Sequence, residues 1–269
     1  MNTANLLPSR VAPAPNALSG EVGHVALSRM LSVPGEPLLY ADWERTLMIH
    51  YEVDPVELAK HVPFPLDLHE GKAYVSLVAF TLRGMRPRRG GRLAAWLMRP
   101  IATHGFLNVR TYVRVNGEPG IFFITEYLNN RISLKLGPLA FGLPYRFARI
   151  HYTHAHEDDR LAGMVSDPRS AAALVYSARL DGAAFAPAAA GSLTEWLMER
   201  YTAFTLRRGT PVLFRVWHPP WPKATATVHV TDDSLLRKHL PWFRYARYIG
   251  AHYSPGVFDV WMGRPHPAS

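Results

Sequence analysis

The chain contains no cysteine, which excludes disulfides, thiol nucleophiles and thiolate metal sites together. No apolar run reaches the roughly 18–20 residues a helix needs to cross a bilayer. Negative charge is in the minority: 21 acidic residues stand against 30 Lys and Arg, for a net charge of +9 with His neutral. Gly-x-Ser-x-Gly elbows, phosphate loops and dinucleotide fingerprints are missing as well, which removes the common signatures of α/β-hydrolases and nucleotide enzymes. What is present is a chain of 269 residues, 48% hydrophobic and only 19% charged. That composition can build a sizeable core and excludes global disorder. The length favours one large β-rich or α/β domain over two small ones.

Residues 1–36 are rich in Ala, Pro, Ser and Asn and carry no sustained hydrophobic period, so they read as a flexible extension. They have no continuous apolar stretch of the secretory kind, which points to a cytoplasmic protein. Residues 37–269 read as a single domain. Thr46–Val53 reads as a strand, and Asp54-Pro55-Val56-Glu57 as a helix start with Asp at the cap and Pro at the first helical position. Leu66–His69 and Ala73–Leu82 read as strands joined at Glu70-Gly71. Phe106–Val115 and Ile121–Tyr127 form the clearest hairpin, closed by Asn116-Gly117. Further strands are expected at Arg149–His156, Leu174–Leu180, Leu213–His218, Ala224–Val230 and Val257–Met262, with helices from the capping box Ser192-Leu193-Thr194-Glu195 and over Thr231–Leu240. Many strands, few helices and no βαβ alternation predict an α+β, mainly antiparallel β fold.

Four motifs occur in order: Phe106-Leu107-Asn108-Val109-Arg110-Thr111-Tyr112-Val113, Leu143-Pro144-Tyr145, His218-Pro219-Pro220-Trp221-Pro222 and His252-Tyr253-Ser254-Pro255-Gly256-Val257. Together they resemble the YqjF-like family of unknown function, within the acetoacetate decarboxylase-like superfamily, over roughly Leu38 to Pro265. The resemblance implies an antiparallel β-barrel with a few outer helices and an interior ligand cavity; it implies no particular reaction. Decarboxylases of that superfamily use two adjacent lysines before Leu-Gly, one forming a Schiff base while its neighbour's charge depresses its pKa. Here the similar place reads Leu134-Lys135-Leu136-Gly137. Leu134 then takes the Schiff-base position and Lys135 that of the neighbour, so the electrostatic reason for a reactive amine is gone. Read as a strand, the segment brings Lys135 in only by a one-residue shift, which reverses its face.

Strand alternation puts Asn108, Arg110, Tyr112 and Arg114 on one face and Leu107, Val109, Thr111 and Val113 on the other. Either the polar face meets water, or it lines the cavity. In a hairpin with a two-residue loop, Arg110 faces Phe123 and Asn108 faces Thr125. Arg110 is the expected anion reader, because guanidinium holds a carboxylate bidentately. The candidate catalytic residues are therefore Arg110, Lys135 and His252; the candidate ligand-binding residues are Asn108, Tyr112, Phe123, His218, Tyr253 and Ser254. A structural hydrogen-bonding role is the commoner one for each of the two histidines. His151, His154, His156 and Glu157-Asp158-Asp159 invite a metal reading, but the run leads into Arg160-Leu161-Ala162-Gly163 and reads as a solvated hairpin end. No metal and no cofactor are expected. Arg83, Arg86, Arg88, Arg89, Arg92 and Arg99 surround Gly90-Gly91 and the apolar Leu93–Met98. Nucleic acid or an anionic membrane surface would suit the charge, but aromatics are not interleaved with these arginines and the segment reads as a basic loop, a lid on the cavity. The expected partner is a small anionic ligand, without specific nucleic acid or integral membrane association; a homo-oligomer is compatible with this reading.

Overall fold

The computed structural model describes residues 21–268 apart from 156, 158 and 183. Its strands are β1 (Leu39–Val53), β2 (Ala73–Pro87), β3 (His104–Val115), β4 (Glu118–Leu128), β5 (Tyr145–Phe147), β6 (Arg149–Thr153), β7 (Arg160–Ser166), β8 (Ala173–Leu180), β9 (Thr202–Arg207), β10 (Thr210–Trp217), β11 (Ala224–Asp232), β12 (Arg247–Met262) and β13 (His266–Pro267). Between them lie α1 (Glu21–Leu31), α2 (Pro55–Ala59), α3 (Gly91–Leu97), α4 (Ser133–Phe141), α5 (Leu193–Met198) and α6 (Ser234–His239). All strands join one sheet in the order β13-β10-β9-β4-β3-β2-β1-β12-β11-β8-β7-β6, with β5 beside β4. The pairings are antiparallel except β4 with β5 and β4 with β9. β10 also pairs with β12 through Val216↔Met262 and Trp217↔Trp261, so the run β12-β1-β2-β3-β4-β9-β10 returns to its first strand.

Both faces of the central strands are buried, so their sequences read as near-continuous apolar runs rather than clean alternation. Odd positions of β1, Leu47, Ile49 and Tyr51, join one core with Leu107, Val109 and Val113 of β3 and Leu235 and Leu236 of α6. Met48 joins a second core with Val78, Phe80, Phe106, Phe123 and Phe214. The expected turns hold these strands in register. Asp54 accepts from the Glu57 amide at 2.8 Å and starts α2, and Asn116 and Gly117 both adopt positive φ, 50° and 79°, as the two-residue hairpin turn requires.

Four expectations need correction. Residues 21–36 are not a bare extension: α1 buries Leu27 and Met30 against Tyr201 and Trp217, and the Trp217 indole donates to Gly23 O at 3.2 Å. The rest of the expected extension, 1–20, lies outside the described residues. Arg160–Gly163 is no exposed turn but the start of β7, whose Leu161, Gly163 and Val165 are buried and whose Arg160, Ala162 and Met164 are exposed. The segment around Leu134 and Lys135 is helical, not extended, and Leu93–Leu97 is likewise part of a helix.

Candidate functional site

The run of strands from β12 through β1 to β10 surrounds a cavity of about 490 Å³, within the range typical of small-molecule sites. Its walls are mostly apolar: Phe80, Phe106, Phe123, Phe141, Phe214 and the indoles of Trp43 and Trp221. β3 presents His104, Phe106, Asn108 and Arg110 to it, the i, i+2 face that alternation selects, while Leu107 and Val109 enter the opposite core. Across the hairpin, Arg110 pairs with Phe123 as the two-residue loop dictates. The register then slips by one residue between Val109 and Arg110, and Asn108 faces Glu126 rather than Thr125. That bulge is the main thing sequence alternation misses. An extra residue in β4 re-aims the chain, so a carboxyl group occupies the inward position expected for a threonine hydroxyl.

Glu126 is buried, and burial pushes its carboxyl well above the usual range, which favours its neutral acid form. Its backbone N–H donates to Pro144 O at 3.1 Å, and Leu143 and Tyr145 on either side line the cavity; the Leu-Pro-Tyr motif thus positions the acid. His104 shifts the other way. Burial lowers it to about 4, and both of its ring nitrogens are buried without a hydrogen-bond partner. The same cavity therefore holds a protonated carboxyl and an unprotonated imidazole, an acid and a base set by environment.

Arg110 is buried, and among the described residues no carboxylate lies within ion-pair distance of it. One of its Nη groups donates to Leu197 O at 3.2 Å, with Met48 Sδ at 3.9 Å, while its Nε has no partner. Arg200, also on the wall, differs: it pairs with Asp67 at 2.8 Å and stacks over Trp196. Leu197 O belongs to the last turn of α5, where carbonyls lack helical partners. The capping box sets the other end of this helix, with Ser192 Oγ accepting from the Glu195 amide at 3.2 Å. Unpaired polar atoms concentrate around Arg110: Thr46 Oγ1, Asn108 Oδ1, Glu126 Oε2, Ser133 Oγ and the Trp43 and Trp221 indole nitrogens are buried without a hydrogen-bond partner, and all belong to residues lining this cavity. Buried polar groups are normally paired, so this cluster marks where a polar ligand would be welcome.

Tyr112 and His252 stand behind the wall. Tyr112 donates its hydroxyl to Leu197 O at 2.9 Å, and that carbonyl can only accept. The whole chain of bonds then has one direction. Ser76 donates to Tyr112 at 2.6 Å, His50 Nδ1 to Ser76 at 2.7 Å, His252 Nδ1 to His50 Nε2 at 3.2 Å, and Thr194 to His252 Nε2 at 3.4 Å. Both imidazoles are neutral. Burial lowers His50, with smaller contributions from His252 and Arg110, and burial with the charge of Lys223 lowers His252 to about 4. The array ends on the carbonyl that holds Arg110, so His252 bears on the cavity only through it.

The remaining candidates fall elsewhere. Lys135 is exposed on α4 and does not line the cavity; Ser133, Leu136, Gly137 and Ala140 of that helix do. His218 lies behind Trp221, donating from Nδ1 to Pro219 O at 2.8 Å and stacked on Tyr201, with burial lowering it to about 4. Tyr253 points into the opposite core and donates to His154 O at 2.7 Å. Ser254 accepts from the Gly256 amide at 3.2 Å. His154 is buried rather than solvated, bonded to Arg45 O and the Tyr176 hydroxyl at 2.8 Å each; among the described residues no cluster of metal-ligating side chains forms, and His156 and Asp158 lie outside them.

This mainly antiparallel sheet with its few helices is the acetoacetate decarboxylase-like fold. An acetoacetate decarboxylase from Legionella pneumophila superimposes with a TM-score of 0.61 at 15% identity, covering 95% of this chain and 98% of that one. The enduracididine biosynthesis enzyme MppR, in complex with pyruvate, gives 0.60 at 15% identity over 87% of this chain and 91% of its own. Within that fold, the chain belongs to the DUF2071 family of uncharacterized conserved proteins, which it matches over residues 40–258. The uncharacterized protein YqjF of Bacillus subtilis (strain 168) is 29% identical over 223 residues, 78% of this chain and 85% of the relative.

Proposed function

We infer that the returning run of strands acts as a closed barrel, and that its cavity binds a small carbonyl-containing organic acid and moves a proton on it. The observation that carries this reading is the buried guanidinium of Arg110 in an apolar cavity without a carboxylate partner. Glu199 reaches Arg110 through its field but forms no direct ion pair with it; a buried charge without such a pair is costly, and a bound carboxylate removes that cost. Asn108 beside it supplies amide groups. Glu126, protonated, hydrogen-bonds a carbonyl oxygen and passes its proton to it as His104, unprotonated, takes a proton from the neighbouring carbon, so the two together interconvert keto and enol forms. The pyruvate held by MppR, on the same fold, is a ligand of this chemical class. A Schiff-base route has no support, because among the described residues no lysine lines the cavity.

Thermal and denaturant melts across a panel of small carboxylates test the reading. A true ligand stabilises the protein by about 2–3 kcal/mol at a hundredfold excess over its dissociation constant. Arg110→Lys loses most of that gain, because the bidentate geometry goes while the charge stays. A folded variant that responds to every ligand as wild type does would make Arg110 structural and remove the site.

A further inference from the structure

Two helices beside the cavity, α3 and α4, turn apolar side chains outward. On α3, Leu93, Trp96 and Leu97 follow i, i+3, i+4 spacing and share one face; they are 69%, 59% and 64% exposed. On α4 and the residue before it, Ile132, Leu136 and Leu139 share a face in the same way and are also exposed. Leu136 and Leu139 line the cavity, as do Met98 and Ile101 just beyond α3. The two elements are tied together where Asn130 donates to Pro100 O at 2.7 Å. Leu93, Trp96, Leu97 and Ile132 do not line the cavity but stand exposed on the same two tied elements.

The charge carried by these two segments has one sign. No acidic residue occurs between Glu70 and Glu118, nor between Glu126 and Glu157, the two stretches that contain α3 and α4. Arg83 and Arg86 are engaged by Glu44 and Asp259, whereas exposed Arg89, Arg92, Arg99 and Lys135 have no ion pair among the described residues. Three occupants could cover such a face. A second copy docked about a two-fold axis would set the same arginines against each other, which is repulsive. A nucleic-acid backbone would satisfy the arginines, but only Trp96 offers a stacking platform and the aliphatic side chains would gain nothing. An anionic bilayer satisfies both halves, taking the apolar side chains below its headgroups and the cations among them.

We propose that the α3–α4 face docks the cavity mouth on an anionic membrane surface. The protein lies on the bilayer and does not cross it. The claim is independent of which ligand the cavity holds.

Co-sedimentation of the full chain with vesicles tests it, comparing pure phosphatidylcholine with an equal mixture of phosphatidylcholine and phosphatidylserine. Binding to the mixed vesicles exceeds binding to the neutral ones at least tenfold and weakens with salt, since each basic residue at an anionic surface contributes about fivefold. Arg92→Glu with Arg99→Glu lowers partitioning by more than about 25-fold on the same scale. Trp96→Gln with Leu97→Gln also lowers it, by about tenfold or more, because apolar burial is lost. These side chains are exposed, so both double variants melt as wild type does. The emission lost in Trp96→Phe shifts to the blue when mixed vesicles are added to the wild type. Equal binding to both vesicle types, no binding at all, or double variants that bind like wild type would overturn the proposal. So would self-association in solution that Trp96→Gln abolishes, or duplex DNA binding at physiological salt that the arginine variants abolish while vesicles are ignored.

Discussion

Arg110, Glu126 and His104 show how a residue's surroundings decide its chemistry. All three are buried in one apolar cavity, yet burial drives the carboxyl up and the imidazole down, favouring the uncharged form of both. The guanidinium keeps the role of anion reader. This division of labour makes a kinetic prediction. A 2-oxo or 3-oxo acid that stabilises the protein should exchange its α-protons with D2O faster in its presence, followed by NMR. Glu126→Gln and His104→Gln should each slow that exchange by about 10²–10⁴-fold, the usual contribution of one acid or base, while stabilisation by the ligand persists. Borohydride added to the same mixtures should leave Lys135 unmodified by intact mass, since its amine is exposed on α4 outside the cavity. A reduced adduct on Lys135 would restore a lysine mechanism. Exchange unaffected by either substitution would leave the cavity a binding site only.

At the scale of elements, α4 closes over the cavity because Gly137 lets it press on Tyr145. A Cβ built at Gly137 would stand 2.1 Å from the Tyr145 ring, and Tyr145 itself lines the cavity. Helix propensity and packing therefore disagree about Gly137→Ala. Alanine is the better helix former by about 1 kcal/mol, but the methyl group must displace a packed ring, and overpacking costs about 1–3 kcal/mol. Packing should win. Urea melts should find Gly137→Ala destabilised despite the gain in propensity, with amide exchange increased along α4. A stabilised variant would show that α4 is free to lift. The other element that shapes the site is the β3–β4 hairpin. Its Asn-Gly turn fixes Arg110 opposite Phe123, and its bulge delivers Glu126.

Across the whole molecule, buried neutral histidines couple folding to pH. His104, His154, His218 and His252 are all lowered to about 4, chiefly by burial, and His50 is lowered as well. Their unfolded forms take up protons near pH 6.5, so between about 6.5 and 4 the unfolded state binds more protons than the folded one. Stability is therefore present above that window and is lost as pH falls through it, by about 1.4 kcal/mol per pH unit for each proton taken up. Glu126 acts in the opposite sense. Its raised pKa favours the fold at low pH and loses that contribution as pH rises through the folded value. Glu199, also raised chiefly by burial, acts in the same sense as Glu126; the several histidines outweigh these two carboxyls, and denaturant melts should show a net fall in stability from pH 7 to pH 5. Glu126→Gln should steepen that fall, because it removes one opposing group. A protein equally stable at both pH values would contradict the burial of these imidazoles.

Local chemistry was legible in the sequence. The Asn116-Gly117 turn, the caps at Asp54 and Ser192, and the alternation that aims Asn108 and Arg110 inward all depend on neighbours within a few residues, and a sequence carries that information directly. The bulge that substitutes Glu126 for Thr125, the helix hidden by Gly137-Pro138, the alternating strand β7 and the docking of α1 were not legible. Each is settled by what packs against it: Pro144 beside Glu126, Tyr145 beneath Gly137, Tyr176 against Gly163, and Trp217 beneath α1. The same division separates the motifs. His218, His252 and Tyr253 stand out as residue types suited to chemistry, but only the fold places them behind the wall. Glu126 carries no local mark at all, because a single carboxyl becomes an acid at neutral pH only when tertiary packing removes its water.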